Sequence, residues 1–294
     1  MIKTIEDVFV DFPFEITERE IIETVRGVKD SARRDWNTKD NLRLAFSCID
    51  LTSLNATDTK TRIREFVGKV NNFPDHFPGM PNVAAICVYP NMIPVVKQSL
   101  KNYSVRVASV AGGFPHSMTF PEIKAGEAGL AVNAGADEVD IVISLSSFLD
   151  DGYQFCFDEI YMIKKAVGDA HLKIILETGV LADPERIWKA SLIAMSAGAD
   201  FIKTSTGKMD PAATLEAAYV MTRAIKSFHE KKRKKVGFKP AGGIVEACDA
   251  LSYLGMVQTV LGEEWMNHEY FRIGASRLAN NILSSVYGEP INYF

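Results

Sequence analysis

Residues 120–145, FPEIKAGEAGLAVNAGADEVDIVISL, contain a helix-like stretch, Phe120–Ala134, followed after Gly135 by a strand-like apolar run, Glu138–Leu145. Similar apolar runs, with helix-like segments between most of them, recur through most of the chain. The other strand-like runs are Leu44–Leu51, Val83–Tyr89, Val105–Val110, Leu172–Thr178, Phe201–Thr206, Lys235–Lys239 and Phe271–Gly274. The other clear helix-like segments are Pro184–Ala197 and Ala212–Lys232. Strands that alternate with helices predict an α/β fold with parallel pairing and right-handed crossovers.

The number of strand-like runs indicates how the sheet closes. Eight strand–helix units in about 250 residues are typical of a closed (β/α)8 TIM barrel. The alternative is an open doubly wound sheet, which usually has fewer strands and often has a glycine-rich first turn. No G-x-G-x-x-G pattern follows the first strand-like run. The sequence therefore favours the barrel.

Two segments of the chain lie outside the strand–helix repeat. Residues 1–40 contain one amphipathic helix, about Thr17 to Arg33. We expect residues 1–40 to form a helical extension that packs on the barrel, and residues 41–294 to form the barrel itself. Residues 71–82, NNFPDHFPGMPN, contain three prolines, so we expect an extended loop before the second strand.

Composition and charge exclude several classes of protein. The 294 residues include 33 Lys and Arg against 37 Asp and Glu, a net charge of -4, and 47% of them are hydrophobic. Disordered chains combine low hydrophobicity with high net charge, and nucleic-acid-binding domains are usually basic, so neither class fits. The longest apolar stretch, Val83–Tyr89, is far shorter than the roughly 20 residues of a membrane helix. We expect neither a nucleic-acid partner nor a membrane partner.

The cysteines and histidines indicate neither disulfides nor a metal site. The four cysteines lie far apart with no C-x-x-C pair, which favours a reduced, cytoplasmic protein. None of the five histidines forms an H-x-H pair on a strand, so we do not expect a metal-dependent hydrolase. The first residues include acids where a signal peptide would have an apolar core, which also favours the cytoplasm.

Period-2 alternation along the strands predicts that four charged side chains point into the interior of the barrel. In the run Val139–Ile143, Asp140 lies on the face opposite the residues that pack on the helices. The same alternation turns Lys203, Lys239 and Asp50 inward, each toward the C-terminal half of the barrel. Two acids and two bases sum to zero, and a network of this kind could merely hold the strands in place. Strand ends inside a barrel are, however, where catalytic residues normally lie.

The chemistry of two neighbouring lysines favours a catalytic role. A lysine amine becomes nucleophilic only when it loses its proton, and its ordinary pKa is about 10.4. Burial and a second nearby cation both favour the neutral amine. One lysine could then form a Schiff base while the other stays charged, and a carboxylate, or a water it holds, could remove a proton from the adjacent carbon. This is the chemistry of a class I aldolase, which needs no metal and no cofactor.

The loops after the last strands have features of a phosphate site. Lys239–Gly243, KPAGG, ends the seventh strand, and Gly274–Arg277, GASR, ends the eighth and opens a helix. Barrels often bind phosphate with these two loops, through backbone N–H groups and a helix N-terminus. Thr206–Lys208, TGK, follows the sixth strand and adds a cation. Gly-Gly could also be a plain strand-to-helix turn, but its position beside Lys239 favours the phosphate site.

Several stretches together resemble the deoxyribose-phosphate aldolase family. The resemblance covers about residues 42 to 282, and the pair of lysine motifs is its most specific part. The matching motifs are Ile49–Asn55 (IDLTSLN), Ala84–Pro90 (AAICVYP), Gly135–Asp140 (GADEVD), Ala199–Lys208 (ADFIKTSTGK) and Val236–Gly243 (VGFKPAGG).

The resemblance implies that 2-deoxy-D-ribose 5-phosphate is cleaved reversibly to acetaldehyde and D-glyceraldehyde 3-phosphate, in the catabolism of deoxyribonucleotides. It implies that Lys203 forms the Schiff base, that Lys239 perturbs it and relays protons, and that Asp140 transfers protons with a water. Asp50 matches a carboxylate near the substrate hydroxyl. The positions implied for the substrate and its phosphate are Thr52, Thr206, Gly207, Lys208, Gly242, Gly243, Gly274 and Ser276.

Two positions depart from the family pattern. Many relatives have two serines where this chain has Ser276 and Arg277. Arg277 could add a cation at the phosphate or turn outward, and we favour the outward position because the backbone amide remains either way. Several relatives end in a mobile tail with a terminal tyrosine, whereas Tyr293 is followed by Phe294 in this chain. We therefore leave Tyr293 out of the predicted site.

Two other functions stay open from the sequence. The same lysines would serve a Schiff-base aldolase of this fold that acts on another phosphorylated sugar. A non-catalytic sugar-phosphate-binding protein would need the phosphate loops but no interior nucleophile. The sequence does not determine the oligomeric state, and a homo-oligomer is compatible with it.

Overall fold

The computed structural model describes residues 4–294 and contains, over that range, eight short parallel strands arranged in chain order. The strands are β1 (Ile49–Thr52), β2 (Ala85–Val88), β3 (Arg106–Ala111), β4 (Glu138–Val142), β5 (His171–Ile175), β6 (Phe201–Lys203), β7 (Gly237–Lys239) and β8 (Ile273–Ala275). β1 pairs with both β2 and β8. Two bridges, Phe238 with Phe271 and Ala241 with Gly274, join β7 to the region of β8. The sheet closes into a (β/α)8 barrel, so the predicted fold is confirmed.

Helices connect the strands and cover the outside of the barrel. They are α1 (Ile5–Asp11), α2 (Glu18–Arg34), α3 (Lys39–Ser47), α4 (Lys60–His76), α5 (Ile93–Ser99), α6 (Pro121–Asn133), α7 (Leu145–Leu149), α8 (Tyr153–Val167), α9 (Thr178–Leu181), α10 (Pro184–Ser196), α11 (Leu215–Lys232), α12 (Ala247–Leu261) and α13 (Arg277–Tyr287). Several begin at a threonine whose hydroxyl accepts a free backbone N–H, as Thr17 does for α2 and Thr214 for α11. None of the helices in residues 4–294 combines the length and the apolar character needed to cross a membrane.

The strands are buried on both of their faces. In β4, Val139 and Ile141 belong to the large apolar core between the sheet and the helices, whereas Asp140 is fully buried on the opposite face. A separate small apolar cluster comes from the second and third strands and the loop after the first: Leu54, Ala85, Cys87, Ala108 and Val110. The charged residues of the interior therefore come from the other strands.

The first strand-like run, Leu44–Leu51, is a strand only from Ile49 onward, so the sequence-based boundary is wrong there. Thr38 caps α3, which continues to Ser47 before β1 begins at Ile49. The buried residues of this helix are Leu42, Ala45 and Phe46, which lie on one helical face. A short apolar run does not by itself distinguish a buried helix from a strand.

The proline-rich stretch 71–82 is also different from the prediction, because much of it is helical. α4 continues through Pro74 and ends at His76. A proline has no N–H for the carbonyl four residues earlier, which here belongs to Val70. The side-chain Nδ2 of Asn82 donates to that carbonyl at 2.9 Å. This hydrogen bond replaces the missing one, and the helix keeps its last turn.

The helices that precede the barrel pack against its outer layer. α2 lies against α11 and α12, with Ile21, Val25 and Val28 buried. Between α1 and α2, the carbonyl of Phe12 accepts a hydrogen bond of 2.9 Å from Trp188 Nε1 of α10. Apolar burial and this hydrogen bond attach the N-terminal helices to the barrel.

Candidate active site

The interior of the barrel holds seven buried charged side chains, which we call the interior charge cluster. Its members are Asp50, Glu138, Asp140, Lys173, Lys203, Lys239 and Arg272. None of them is more than 4% exposed. Strand alternation predicts four of the seven, Asp50, Asp140, Lys203 and Lys239, and the structure places these four in one chain of ion pairs.

The parallel register places two lysines side by side. Lys203 ends β6, Lys239 ends β7, and the two residues are Cα partners across these strands. Asp140 reaches both of them from β4. Its Oδ2 accepts a hydrogen bond of 2.8 Å from Lys203 Nζ and one of 2.7 Å from Lys239 Nζ. One carboxylate oxygen is thus shared by two lysine nitrogens.

Asp140 is held in its ionised form. Burial alone would raise the pKa of its carboxyl, but the cations of Lys173, Lys203 and Lys239 lower that pKa well below its usual range. Lys173 Nζ donates to the second oxygen, Oδ1, at 3.2 Å. Both oxygens of Asp140 therefore accept hydrogen bonds from lysine nitrogens.

Lys239 is the lysine of this pair that stays protonated. Its Nζ lies 2.5 Å from Asp50 Oδ2 and 2.7 Å from Asp140 Oδ2. Burial would lower the pKa of Lys239, but the two carboxylates raise it well above its ordinary value. Lys239 is therefore a permanent positive charge next to Lys203.

Lys203 is the lysine of the pair that can lose its proton. Among the described residues its Nζ pairs with one carboxylate, Asp140, whereas Lys239 pairs with two. Burial lowers the pKa of Lys203, Asp140 raises it and the charge of Lys239 lowers it again, so that it falls below the ordinary lysine value. A neutral amine at this position is a nucleophile.

Three members of the interior charge cluster are missing from the sequence-based prediction. Arg272, just before β8, donates from Nη2 to Glu138 Oε1 at 2.8 Å and from Nη1 to Asp50 Oδ1 at 2.7 Å. Lys173 pairs with Glu138 and Asp140. The signal was available, because Glu138 lies two residues before Asp140 on the same strand face and Lys173 is the Cα partner of Asp140.

The composition of the cluster corrects the predicted balance of two acids and two bases. The interior contains four basic and three acidic side chains. When all seven are ionised the interior carries one net positive charge, which burial disfavours. Loss of one proton makes the cluster neutral, and Lys203 has the lowered pKa. The charge count and the local contacts indicate the same lysine.

A cleft of about 420 Å³ includes Lys203 in its lining and is bordered by the loops that follow β1, β6, β7 and β8. Its size is typical of a site for a small molecule. The structure brings all of the predicted substrate and phosphate positions to this cleft: Thr52, Thr206, Gly207, Lys208, Gly242, Gly243, Gly274 and Ser276. A single cavity is therefore lined by Lys203 and by the loops predicted to bind phosphate.

Two loops approach each other closely at one side of the cleft. Gly242 has a φ of +83°, and a Cβ there would lie 2.9 Å from Gly207 Cα and 2.8 Å from Ala212 Cβ, so only glycine fits. Lys208 Nζ donates to Leu54 O at 2.8 Å, so the Lys208 side chain reaches from the loop after β6 to the loop after β1. A cation beside glycine-rich backbone is a suitable environment for an anion.

The two threonines in the cleft direct their hydroxyl protons to protein atoms. Thr52 Oγ1 donates to Asp50 O at 2.8 Å, and Thr206 Oγ1 donates to Glu177 Oε2 at 2.6 Å. Glu177 is absent from the sequence-based prediction, because its contact joins two loops that are 29 residues apart. No periodic pattern in the sequence marks such a contact.

The positions that depart from the family pattern lie in different parts of the molecule. Ser276 and Arg277 are at the start of α13 and line the cleft, where the Arg277 side chain is exposed. Tyr293 packs instead on α4, with its hydroxyl donating to Lys69 O at 2.7 Å and its ring against Phe73. Tyr293 is not among the residues that line the cleft.

Comparison with known proteins connects this geometry to a family. The model of the DeoC/LacD family aldolases matches residues 45–264. The deoxyribose-phosphate aldolase of Bos taurus is 43% identical over 296 residues, which cover 96% of this chain and 91% of that protein. The Homo sapiens deoxyribose-phosphate aldolase is 42% identical over 296 residues, with the same coverage of 96% and 91%.

Solved structures share the architecture. QR15, an aldolase, is 30% identical, with a TM-score of 0.67 over 83% of this chain and 96% of that chain. The deoxyribose phosphate aldolase of Aeropyrum pernix, described as a unique tetrameric structure, has the same fold, with a TM-score of 0.65, 23% identity and coverage of 92% and 98%. The family match spans most of the barrel, and the Bos taurus and Homo sapiens relatives match nearly the full length. The chain belongs to the DeoC/LacD family of aldolases.

Proposed function

We propose that this chain is a class I aldolase that cleaves 2-deoxy-D-ribose 5-phosphate reversibly to acetaldehyde and D-glyceraldehyde 3-phosphate. The observation that supports this most directly is the environment of Lys203, which has a lowered pKa, borders the cleft and lies 2.8 Å from Asp140. The names of the two relatives at 43% and 42% identity favour 2-deoxyribose 5-phosphate as the substrate.

The loops after β6, β7 and β8 would orient the substrate by its phosphate. Lys208 offers an ammonium, Gly242 and Gly243 offer closely approachable backbone, and Ser276 lies at the start of α13. With its phosphate bound there, the open-chain sugar would extend its aldehyde end along the cleft to Lys203. Binding energy from the phosphate would thus orient the reacting carbon.

The first chemical step would form an imine. The neutral Nζ of Lys203 attacks the aldehyde carbon C1, and the carbonyl electron pair moves to oxygen, which takes a proton. Loss of water from this adduct leaves a protonated imine on Lys203. The positive charge of Lys239 favours the neutral form of the attacking amine.

The second step would break the bond between C2 and C3. Asp140 is fully buried and does not line the cleft. The C3 hydroxyl would therefore give its proton to Asp140 through a water, and the C2–C3 electron pair moves toward the imine nitrogen to give an enamine. Glyceraldehyde 3-phosphate leaves with C3 as its aldehyde carbon. Proton return to C2 and hydrolysis of the imine then release acetaldehyde and regenerate Lys203. Asp50 does not line the cleft, and its contact with Lys239 supports a role in keeping that lysine charged.

The experiment is a retro-aldol assay in which acetaldehyde release is measured with a panel of sugar phosphates. We expect the fastest release from 2-deoxyribose 5-phosphate and none with Lys203→Leu. Lys234→Leu is the matched control. Burial lowers the pKa of Lys234 as well, but Lys234 lies outside the interior charge cluster, where its Nζ donates to Ala199 O. Cleavage of only another phosphorylated sugar would establish a different Schiff-base aldolase. Binding of sugar phosphates without any cleavage would establish a non-catalytic binding protein.

We further infer that the enzyme acts in the cytoplasm as a homo-oligomer. Cys48, Cys87 and Cys156 are buried free thiols, which is typical of a reducing compartment. The structural relative from Aeropyrum pernix is a tetramer. Sedimentation of the purified chain at micromolar concentration tests whether it is a homo-oligomer, and a single monomeric species would contradict that inference.

A further inference from the structure

Glu177 is a buried acid outside the interior charge cluster, and its backbone conformation is unusual. It lies two residues after the end of β5, is 1% exposed and has φ 53° and ψ 58°. This left-handed conformation is uncommon for a residue with a side chain, and surrounding contacts must hold it. Two backbone hydrogen bonds do so on either side, from Leu176 N to Lys203 O at 2.9 Å and from Thr178 N to Thr204 O at 3.0 Å.

The carboxylate of Glu177 accepts both hydrogen-bond donors of Thr206. The Thr206 N–H lies 3.2 Å from Oε1 and 3.3 Å from Oε2, and the hydroxyl donates to Oε2 at 2.6 Å. The Thr206 hydroxyl oxygen in turn accepts from Lys208 N at 3.1 Å. Glu177, Thr206 and Lys208 thus form a continuous series of hydrogen bonds that ends at the backbone N–H of the residue that carries the proposed phosphate cation.

The turn that carries Glu177 also packs tightly against the far end of the same loop. A Cβ at Gly179 would lie 1.8 Å from Pro211 O, so a side chain there would displace the loop. Glu177 itself is not among the residues that line the cleft. Its contacts therefore act on the loop and not on a ligand.

We propose that Glu177 is a positioning residue that holds the segment Thr206–Lys208 in the geometry that binds the substrate's phosphate. This inference rests on the proposed aldolase function, because it assigns the phosphate to that segment. Since both donors of Thr206 are directed to Glu177, Thr206 supports the loop, and the Gly207 backbone and the Lys208 ammonium are left to face the anion. Glu177→Gln replaces one of the two oxygens that accept from Thr206 with an NH2 donor, which weakens phosphate binding and leaves the chemistry at Lys203 intact.

The test compares phosphorylated and unphosphorylated substrates in four proteins: wild type, Glu177→Gln, Thr206→Val and Thr206→Ser. Glu177→Gln and Thr206→Val should raise KM for 2-deoxyribose 5-phosphate about tenfold, with kcat within about threefold of wild type. The kcat/KM for unphosphorylated 2-deoxyribose should change less than about twofold. Thr206→Ser keeps both donors and should raise KM much less than Thr206→Val does. The double variant Glu177→Gln/Thr206→Val should lose less than the sum of the two single effects, because the two residues act through the same set of hydrogen bonds.

Equal losses with and without the phosphate group would overturn the proposal, as would a wild-type KM in both Glu177→Gln and Thr206→Val. If Glu177→Gln does not fold, the comparison of Thr206→Val with Thr206→Ser decides the question. Titration of inorganic phosphate by calorimetry separates this inference from the proposed reaction. Weaker phosphate binding in Glu177→Gln would support the positioning role even if wild type cleaved no deoxyribose 5-phosphate, and unchanged phosphate binding would contradict it.

Discussion

Lys203 and Lys239 are Cα partners on adjacent parallel strands, and their Nζ atoms share one oxygen of Asp140 at 2.8 and 2.7 Å. The two lysines are chemically identical, yet their pKa values shift in opposite directions. The difference arises because Lys239 has a second carboxylate, Asp50, at 2.5 Å, while Lys203 does not. The number of carboxylates that contact each lysine thus determines which of the two stays charged and which can act as a nucleophile.

Replacing Lys239 with leucine tests whether its charge activates Lys203. Without that charge the pKa of Lys203 should rise toward the ordinary lysine value, so imine formation near pH 7 should slow about 100-fold. The loss should become smaller as the pH is raised. Lys239→Arg keeps the charge and should lose much less. We expect these trends in pH–rate profiles, and a loss in Lys239→Leu that is the same at every pH would contradict the account.

Replacing Asp140 with asparagine should separate imine formation from turnover. Asp140 raises the pKa of Lys203, so its removal favours the neutral amine and should preserve covalent trapping of acetaldehyde. Turnover should fall roughly 100- to 10,000-fold, because the proton acceptor is lost. Trapping and turnover are measured on the same preparation, with circular dichroism as the check on folding. If trapping disappears together with turnover in a folded variant, Asp140 does not have this role.

The free energy of unfolding should depend on pH through the buried acids. Asp50, Glu138 and Asp140 have lowered pKa values in the folded protein. The unfolded chain therefore binds more protons than the folded chain below about pH 4, and stability is lost as the pH falls. Denaturant titrations from about pH 6 down to 3 should show a steadily lower unfolding free energy, less steeply in Asp140→Asn. A stability that stays constant over this range would be inconsistent with ionised acids in the interior.

Arg277 and Lys208 should contribute unequally to phosphate binding. Lys208 extends across the cleft, whereas Arg277 is exposed at its border, where salt screens its charge. Lys208→Met should raise KM for 2-deoxyribose 5-phosphate about tenfold, and Arg277→Ser less than about threefold, with the Arg277 effect vanishing at high salt. Neither substitution should change trapping by acetaldehyde. An Arg277→Ser effect as large as that of Lys208→Met would assign Arg277 to the phosphate site.

Much of the architecture follows from local patterns in the sequence. The eight strand–helix units predict the barrel. Period-2 alternation predicts the inward positions of Asp140 and Lys203. The prediction omitted Lys173 and Arg272, although Lys173 is the Cα partner of Asp140 on the neighbouring strand. The prediction of an extended loop was wrong at Pro74, where the Asn82 side chain at the end of the same stretch replaces the missing backbone hydrogen bond.

Other features could not be predicted from local patterns at all. The hydrogen bonds from Thr206 to Glu177 join two loops, and neither residue has a periodic signature. The exact charge of the interior depends on which side chains meet after the barrel closes. The division at residue 40 between an extension and the barrel stays a prediction, since α2 and the barrel helices share one apolar core.

Covalent trapping is the most direct test of the central claim that Lys203 is the nucleophile. The protein is incubated with acetaldehyde and sodium borohydride, digested, and analysed by mass spectrometry for an ethyl group on lysine. We expect one major adduct, on Lys203, that forms in wild type and Lys234→Leu and is absent from Lys203→Leu. An adduct mainly on Lys239 or Lys173, or active protein with no adduct at all, would contradict it.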